Sequence, residues 1–539
     1  MSMVQGRPGR AADPLRADAY TLVGWLARTH RYNSPDVALA TASAFASRLA
    51  GQASGRPIGA AMVSRLENGS ARWLADHLTT YEKTLGLRPG KLMAPACRLL
   101  RSRGQIGLDL LGRRITAADE QAAADIVDCV LGGDVVTAAD WDLLSASLIV
   151  TGRKLGVRTW GSLTERLILE ICASQGTGQE IRAEALVRLS NAEVATSAIS
   201  DCAIGAMTQR GNPQSFQPLI IYRMMPRSAP AAWITRALLD PPDRWLLREL
   251  FSTVAVLVGA GEWQPSAHQL RSLHRECADT IRDPSIELEV RRAGMQLLRK
   301  LGPDPQRFLS TDSSPELAYL AKPPFAPDAQ SARYSGACRR IAAEVQEIGL
   351  AWQEKWENGE DRMLGEILIQ SLVGRSDDLR SSSTSLLINS GYAAPLRQVL
   401  FRVLSDDAAF QDRVFFRALI RLFGKLANDA DDGHLIVKII GSERIDVDTR
   451  IQACWALGNC ASRVPRSFPE KVLSLCLTKP FGSQSNTAIR AAVAACGRAG
   501  IRQALDQVAG DSTQALAVRD ECRWWNSLPS YVRHSTASE

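Results

Sequence analysis

The chain has 539 residues, of which 45% are hydrophobic and 22% charged, and its 64 Lys and Arg outnumber its 57 Asp and Glu. This composition excludes a disordered chain, and the length predicts two or three domains, or one domain followed by a repeat array. The 11 Cys include no CxxC pair, which favours reduced thiols in a cytoplasm over a disulfide framework. The longest apolar run, near 250–260, is too short to span a bilayer.

The positive charge is concentrated near the N-terminus. Residues 1–104 contain 15 Lys and Arg against 6 Asp and Glu, whereas the rest of the chain contains 49 against 51. A segment with this excess attracts polyanions such as nucleic acids, although a solvated basic surface has the same composition. Residues 1–18 place Arg7, Arg10 and Arg16 among Gly, Pro and Asp, which predicts a flexible basic arm. Such arms can enter a DNA minor groove, and the alternative is a disordered tail without a DNA contact.

A small helical domain is expected at 19–104. Residues 20–29 have apolar side chains at helical spacing. The triplet Ser-Pro-Asp at 34–36 has the residue types that begin a helix, which predicts a helix at 35–50. After a break rich in Gly and Ser, a shorter helix is expected at 58–68 because Asn and Gly follow its last apolar residue.

Four short motifs follow one another in this domain: SAFASRL at 43–49, GRPI at 55–58, VSRLENG at 63–69 and YEKTLGL at 81–87. Their order is similar to that in actinobacterial helix-turn-helix regulators of the XRE (Cro/repressor) type. Those regulators carry Phe-Ala, Arg-Pro-Val-Ser, Ser-Arg-Trp-Glu-x-Gly and Tyr-Glu-x-x-Leu-Gly-Leu in the same order, and they have a large helical C-terminal region. The resemblance is close over about 35–92 and weak over about 105–300.

The resemblance implies that the helix at 35–50 crosses the DNA backbone and that the helix at 58–68 enters the major groove. The residues expected to face the bases are Ala60, Ala61, Ser64, Arg65 and Asn68. Arg65 is the main candidate for a hydrogen bond to a base, because Ala only touches a thymine methyl. The residues expected at phosphates are Arg48, Arg56 and Arg72, and the alternative for each is a surface arginine without a DNA contact.

Other residues of the same segment are expected to be structural. Val63 and Leu66 fall on the inward face of the second helix. Glu67 is expected to pair with a nearby arginine or to hold backbone amides at the start of the following helix. The connection between the two helices is about six residues longer than in a compact repressor domain, so either the turn is extended or the helix boundaries are shifted.

From residue 105 onward, helices of about 10–20 residues alternate with Gly and Pro breaks, and no sustained period-2 alternation predicts a strand. One pattern recurs, in which an aliphatic residue and Arg precede a small residue and an apolar pair. Its arginines are Arg182, Arg291, Arg380, Arg450 and Arg490. The last two are forty residues apart, which is an interval typical of HEAT repeats. The small residue allows close helix packing, and the arginine is expected to reach an acid or a carbonyl of the adjacent repeat.

The predicted fold class is therefore all-α, with an N-terminal helix-turn-helix domain and an irregular HEAT-like helical array. The array is expected at 105–325 and 326–525, and the polar residues 526–539 are expected to fray. The alternative is an ordinary helical domain without true repeats.

Neither an enzyme nor a cofactor is expected, because no catalytic motif occurs. His268, His274 and Cys277 are the densest group of possible metal ligands, but their spacing does not place all three on one helical face. The sequence thus predicts a cytoplasmic, nucleoid-associated transcriptional regulator without membrane association. It is expected to bind double-stranded DNA as a homodimer and to bind a protein or small-molecule effector through the helical region. The alternative is a helical-repeat interaction scaffold whose basic head does not read DNA.

Overall fold

A computed structural model describes residues 18–52, 58–102, 113–209, 211–212, 237–238, 244–259, 263–286, 288–302, 327–349, 361–374, 377–406, 412–478 and 481–537. Every regular element of these residues is a helix, so the all-α fold class is confirmed.

The helices are named in chain order. The first ten are α1 (Ala19–Tyr32), α2 (Ala42–Gln52), α3 (Ala60–Glu67), α4 (Ala75–Thr84), α5 (Met93–Ser102), α6 (Ala117–Gly132), α7 (Ala138–Thr151), α8 (Val157–Ala173), α9 (Gly176–Leu189) and α10 (Glu193–Thr208). The next seven are α11 (Arg244–Gly259), α12 (Ala267–Arg282), α13 (Leu288–Leu301), α14 (Pro327–Ile348), α15 (Arg362–Val373), α16 (Asp377–Asn389) and α17 (Ala393–Ser405). The last eight are α18 (Arg413–Leu426), α19 (Ala430–Gly441), α20 (Val447–Cys460), α21 (Ser467–Thr478), α22 (Ser485–Arg498), α23 (Arg502–Gly510), α24 (Leu516–Ser527) and α25 (Ser530–Ala537). Short 3-10 helices lie at Val37–Ala40 and Gly482–Gln484.

The chain divides into two units. The first contains Met1–Gly112 and Ser331–Val403, and the second contains Arg113–Gln330 and Leu404–Glu539. The sequence-based boundaries at 104 and 325 lie near the ends of the first segment of each unit. The structure differs from the sequence-based division in that 331–403 joins the N-terminal residues.

Local sequence signals account for many helix ends. Thr116 begins α6 with a capping box, because its side chain accepts from the Asp119 amide and the Asp119 carboxylate accepts from the Thr116 amide. Gly133 ends the same helix in a left-handed conformation with φ of 80°, which a residue with a side chain adopts only at a cost.

The predicted helix at 35–50 begins later than expected. A 3-10 turn occupies Val37–Ala40, and α2 begins at Ala42. The guanidinium of Arg31, on α1, donates to the carbonyl oxygens of Leu39 and Ala40, and this supplies those carbonyls with a partner from another helix. An α-helix through these residues would use the same oxygens for its own amides, so the continuous helix of the sequence prediction is wrong.

An aromatic group forms the centre of the N-terminal helices. The ring centroids of Phe45 and Tyr81 are 4.8 Å apart, and those of Trp73 and Tyr81 are 5.1 Å apart, both in edge-to-face geometry. Such pairs contribute about 0.5–1.5 kcal/mol beyond the area that they bury. The neighbouring Glu82 is also buried, and its carboxylate accepts from the amides of Leu92 and Met93 at 2.6 and 3.0 Å, which fixes the start of α5.

The helices of the second unit pack against both the next helix and the next but one. Helix α8 contacts α6, α9 and α10, while α18, α20, α22 and α24 form a continuous row in which each contacts the following member. Helix α19 likewise contacts both α20 and α21. Stacked helix pairs produce this pattern, because each pair covers the apolar face of its neighbour. The described residues of the second unit therefore form a helical array.

The recurring arginines have a shared role in this packing. Arg291 donates through Nε to the carbonyl of Ile281, and Arg450 donates in the same way to the carbonyl of Ile440, both at 2.8 Å. In each case the acceptor lies in the last turn of the preceding helix, where carbonyls lack helical partners and positive charge is favourable.

The other recurring arginines reach either a helix end or an acid. Arg380 donates to the carbonyl of Gly374, at the end of α15. Arg182 pairs with Glu170 and Arg490 pairs with Glu521, both at 2.8 Å. The expectation that this arginine reaches an acid or a carbonyl is thus confirmed, although the partner often lies in the preceding helix.

Small residues allow the rows to pack closely, as expected. Ala185 and Ala453 are fully buried. At Gly424 of α18, a Cβ atom would come within 2.5 Å of the Cα atom of Ala456 on α20. No side chain larger than hydrogen fits at that crossing.

The C-terminal residues do not fray as predicted. Helix α25 packs against α8, and its Val532 and Ser535, three residues apart on one face, are fully buried. The Ser535 carbonyl accepts from Arg182 and its hydroxyl accepts from the Val136 amide, both at 3.0 Å. The polar composition of 526–539 concealed this buried face, so the prediction of a fraying tail is wrong for Ser530–Ala537.

Candidate nucleic-acid interface

Helix α3 has one buried face and one exposed face. Val63 and Leu66 are fully buried, and the indole of Trp73 donates to the Leu66 carbonyl at 3.1 Å. The inward orientation of the two aliphatic residues is as the sequence predicts. The predicted helix at 58–68 is thus present as Ala60–Glu67, one to two residues shorter at each end.

The residues predicted to face DNA bases lie on the opposite side of α3. Ala61, Ser64, Arg65 and Asn68 are exposed, and Ala60 is half-buried. Spacings of three and four residues place the exposed four on a single stripe of the helix. A stripe of small residues with one long cation has the shape and chemistry to approach the floor of a groove, where an arginine pairs with guanine.

A buried ion pair holds the C-terminal end of α3. Arg31, on α1, donates to both carboxylate oxygens of Glu67, with Nε to Oε1 at 2.8 Å and Nη2 to Oε2 at 2.5 Å. Both side chains are only 3% exposed. The expectation that Glu67 pairs with a nearby arginine is confirmed. Because Arg31 also donates to the carbonyls of Leu39 and Ala40, one guanidinium connects α1, the 3-10 turn before α2, and α3.

The same pair influences Tyr81, whose hydroxyl lies 3.5 Å from the Glu67 carboxylate. Burial and the neighbouring negative charge raise the pKa of the Tyr81 phenol above its ordinary value, so the hydroxyl stays protonated and donates to Glu67. With Arg31 on both oxygens and Tyr81 on Oε1, the Glu67 carboxylate has the partners that a buried charge requires.

Two glycines let α1 and α3 pack without a gap. A Cβ atom on Gly24 would lie 2.5 Å from the Glu67 carbonyl oxygen and 2.6 Å from that of Leu66. After α3, Gly69 has φ of 72°, and a Cβ atom there would collide with Thr21 of α1. The position of α3 is therefore set by direct backbone contact with α1.

Asn68 lies at the end of α3, and part of its side chain is already engaged. Arg28 of α1 donates from Nη1 to the Asn68 Oδ1 at 3.1 Å. The carboxamide nitrogen of Asn68 is the part of the side chain that would donate to a base or a phosphate. Sequence reasoning placed Asn68 on the outward face but gave no sign of its partner on α1.

The arginines predicted at phosphates are only partly within the described residues. Arg48, on α2, and Arg72, between α3 and α4, are both exposed. Arg56 lies outside the described residues, as do residues 1–17 of the predicted arm. The connection from α2 to α3 covers 53–59, which is longer than the three or four residues of a short helix-turn-helix turn. Of the two explanations offered by the sequence, an extended turn or shifted helix boundaries, the second holds at the start of α2, whereas residues 53–57 of the connection lie outside the described residues.

His268, His274 and Cys277 all lie on α12, and in the part of the chain that the structure describes no three His, Cys, Asp or Glu side chains are arranged to hold a metal ion. Among the described helices, none combines the length and the apolar character needed to cross a membrane.

No family model and no curated protein matches the chain. Solved structures of the karyopherin Kap121p align with it at low similarity. The complex with the extreme C-terminus of the protein phosphatase Cdc14p has 11% identity and a TM-score of 0.25, covering 83% of this chain and 49% of that chain. The complex with Pho4p has 11% identity and a TM-score of 0.27, and the complex with Ste12p has 10% and 0.27, each covering 92% and 54%.

The chain spans about half the length of the karyopherin chains that it matches. Because all of these TM-scores are below 0.5, the alignments give no basis for assigning a function. The all-helical architecture is instead established by the helices and their packing.

Proposed function

We propose that α1 to α5 form a helix-turn-helix domain of the XRE type that reads double-stranded DNA, with α3 in the major groove. The observation that carries this proposal is the exposed stripe of Ala61, Ser64, Arg65 and Asn68 on a short helix whose other face is buried. The stripe follows α2 in the order that the family motifs predict, and it lies in the segment that holds the excess of positive charge.

The exposed arginines would have two different roles in binding, one at the bases and one at the phosphates. Arg65 is on α3 itself and would hydrogen-bond to a base. Guanine is the preferred base, because it offers two acceptors that match the guanidinium of Arg65. Arg48 and Arg72 flank α3 and would bind phosphates, which orients the domain without reading sequence. Domains of this type usually bind paired half-sites, so we propose a homodimer on DNA.

The experiment that tests this proposal compares two charge-removing variants of the full-length chain. Arg65→Ala should weaken binding to a selected duplex by about 1–3 kcal/mol and relax the preference at one base position. The matched control is Arg402→Ala, which removes one exposed arginine of the same unit, far along the chain from α3, and should leave affinity unchanged.

The salt dependence separates base contacts from phosphate contacts. Arg72→Ala should lower affinity evenly across sequences and reduce the slope of log affinity against log salt by about one unit. Equal affinity of wild type, Arg65→Ala and Arg72→Ala for the selected duplex would contradict the assignment of α3 as the reading helix.

A second candidate function is protein binding by the helical array of the second unit. Stacked helix pairs build extended surfaces of the kind used for protein recognition. Apolar side chains are exposed on the array, among them Val157 at 75% and Val194 at 53%. The two functions are compatible, since a regulator needs a partner-binding region as well as a DNA-binding head, and a small-molecule effector would use the same region.

Affinity purification of the full-length chain distinguishes the two readings. A scaffold that does not read DNA would retain a stable protein partner and enrich no duplex sequence from a random pool. A DNA-reading regulator would enrich a sequence, and nuclease treatment would not remove a protein partner bound to the array.

A further inference from the structure

Helix α1 is buried on two sides, and only one of them faces α3. The other side contacts the segment from Asp361 to Tyr392, which lies more than three hundred positions later in the chain but belongs to the same unit. The connection is made by side chains of Trp25, Thr29 and His30, which alternate along α1 with the residues that contact α3.

The strongest of these contacts centres on Asp361. Its Oδ2 atom accepts from the indole of Trp25 at 2.9 Å and from the hydroxyl of Tyr392 at 3.0 Å. Its Oδ1 atom accepts from the amides of Met363 and Leu364, which caps α15. The carboxyl is only 2% exposed, so each of these hydrogen bonds is shielded from water.

Burial raises the pKa of the Asp361 carboxyl, and the hydrogen bond from Trp25, the charge of Arg28 and the hydrogen bond from Tyr392 oppose that rise. The carboxyl therefore depends on α1 for part of its stabilisation. Removing the Trp25 donor would leave a buried acceptor with less compensation.

Two further contacts keep the same helix in place. The hydroxyl of Thr29 accepts from the Gly391 amide at 3.1 Å, and a Cβ atom on Gly391 would collide with the Thr29 carbonyl. His30 lies 2.5 Å through Nε2 from the Asn389 carbonyl oxygen, which only accepts, so this nitrogen carries the proton and donates. The segment from Asp361 to Tyr392 thus touches α1 at three points along its length.

We propose that Asp361 is a positioning residue for α3, acting through Trp25 and α1. Helix α1 contacts α3 through backbone at Gly24 and through the Arg31–Glu67 pair, so a shift of α1 moves α3 with it. The consequence for DNA affinity rests on the function proposed above, whereas the positioning of α3 does not.

A matched pair of tryptophan substitutions tests this inference in the full-length chain. Trp25→Phe removes the indole donor to Asp361. Trp141→Phe removes an equivalent buried indole donor to Glu170, also at 2.9 Å, in the second unit. Both variants lose the same atoms, so a general effect of the substitution would appear in both.

The first readout is amide hydrogen exchange in the absence of DNA. Trp25→Phe should accelerate exchange across Ala60–Gly69 by about five- to tenfold, which corresponds to the loss of one buried hydrogen bond. Trp141→Phe should leave exchange in that segment unchanged. Tyr392→Phe keeps the ring and removes only the hydroxyl that donates to Asp361, so it should act in the same direction as Trp25→Phe even if the tryptophan variant folds poorly.

The second readout is affinity for a selected duplex, which Trp25→Phe and Tyr392→Phe should lower by about three- to tenfold. Faster exchange in α3 together with a wild-type chain that binds no duplex would support the positioning and refute the proposed function. Unchanged exchange in α3 for both Trp25→Phe and Tyr392→Phe would overturn the positioning inference, and so would an equal acceleration caused by Trp141→Phe.

Discussion

The buried pair of Arg31 and Glu67 provides the sharpest stability prediction. Arg31→Met keeps an apolar stem of similar length, but among the described residues it leaves the Glu67 carboxylate, 3% exposed, with the Tyr81 hydroxyl at 3.5 Å as its one side-chain donor. Removing one partner of a buried ion pair costs about 3–5 kcal/mol, because the remaining charge is desolvated without compensation. The carbonyls of Leu39 and Ala40 also lose their donor, which adds to the cost.

The matched control is an exposed pair of the same type. Arg417 and Asp448 are joined at 3.1 Å, but their side chains are 35% and 49% exposed. Arg417→Met should therefore cost about 0.2–1 kcal/mol. The comparison between the two variants separates the effect of burial from the effect of deleting a guanidinium.

Native-state hydrogen exchange is the suitable assay, because a chain with two units is not expected to unfold in one step. The free energy of opening of α1 and α3 should fall by several kcal/mol in Arg31→Met, with the second unit unaffected. A double variant, Arg31→Met with Glu67→Leu, should regain much of the loss, because both charges are then replaced by apolar groups. An opening free energy in Arg31→Met as high as in Arg417→Met would refute the view that this pair holds α3.

Three further substitutions follow from the same contacts. Gly24→Ala should lower the free energy of opening of α3 by about 1–3 kcal/mol in hydrogen exchange, since its Cβ would press on the Glu67 carbonyl. The control is Gly161→Ala, whose Cβ would meet no neighbouring atom within 4 Å, so this variant should be neutral or stabilising. Burial lowers the pKa of His30 to about 4. As the pH falls, this imidazole is therefore protonated in the unfolded chain before it is protonated in the folded chain. The unfolding free energy of the first unit should thus fall by up to about 3 kcal/mol between pH 6.5 and 4, and His30→Gln should flatten that dependence in native-state hydrogen exchange of α1. Val532→Ala should destabilise α25 by about 1–3 kcal/mol, seen as faster proteolysis after Ser527; equal proteolysis would show that the helix is not held by its buried face.

Local periodicity correctly predicted side-chain orientations and short-range contacts, because these depend on residues close together in the sequence. The inward orientation of Val63 and Leu66 and the outward orientation of Arg65 follow from spacing along one short helix, and the structure has them as expected. The role of the recurring arginines was also predictable, because Arg450 and its acceptor on Ile440 are only ten positions apart.

Contacts between distant parts of the chain account for the differences between the sequence-based prediction and the structure. The start of α2 is displaced because Arg31 of another helix binds the carbonyls before it. The partners Trp25 and Asp361 are 336 positions apart, and no spacing in the sequence connects them. The position of Arg31 is the one feature of the sequence that points to this packing. It lies seven residues, or two helical turns, after Gly24 and therefore on the same face of α1. A charged residue on an otherwise inward face indicates a buried partner.

Selection of duplexes from a random DNA pool by the full-length chain tests the central claim most directly. Insertion of α3 into a major groove predicts that one motif is enriched, with two half-sites about one helical turn apart if the chain binds as a homodimer, and that Arg65→Ala loses the preference at one position of each half-site. A pool that shows no enriched sequence after selection with wild-type protein, under conditions where the chain is folded, would contradict the claim that this stripe reads DNA.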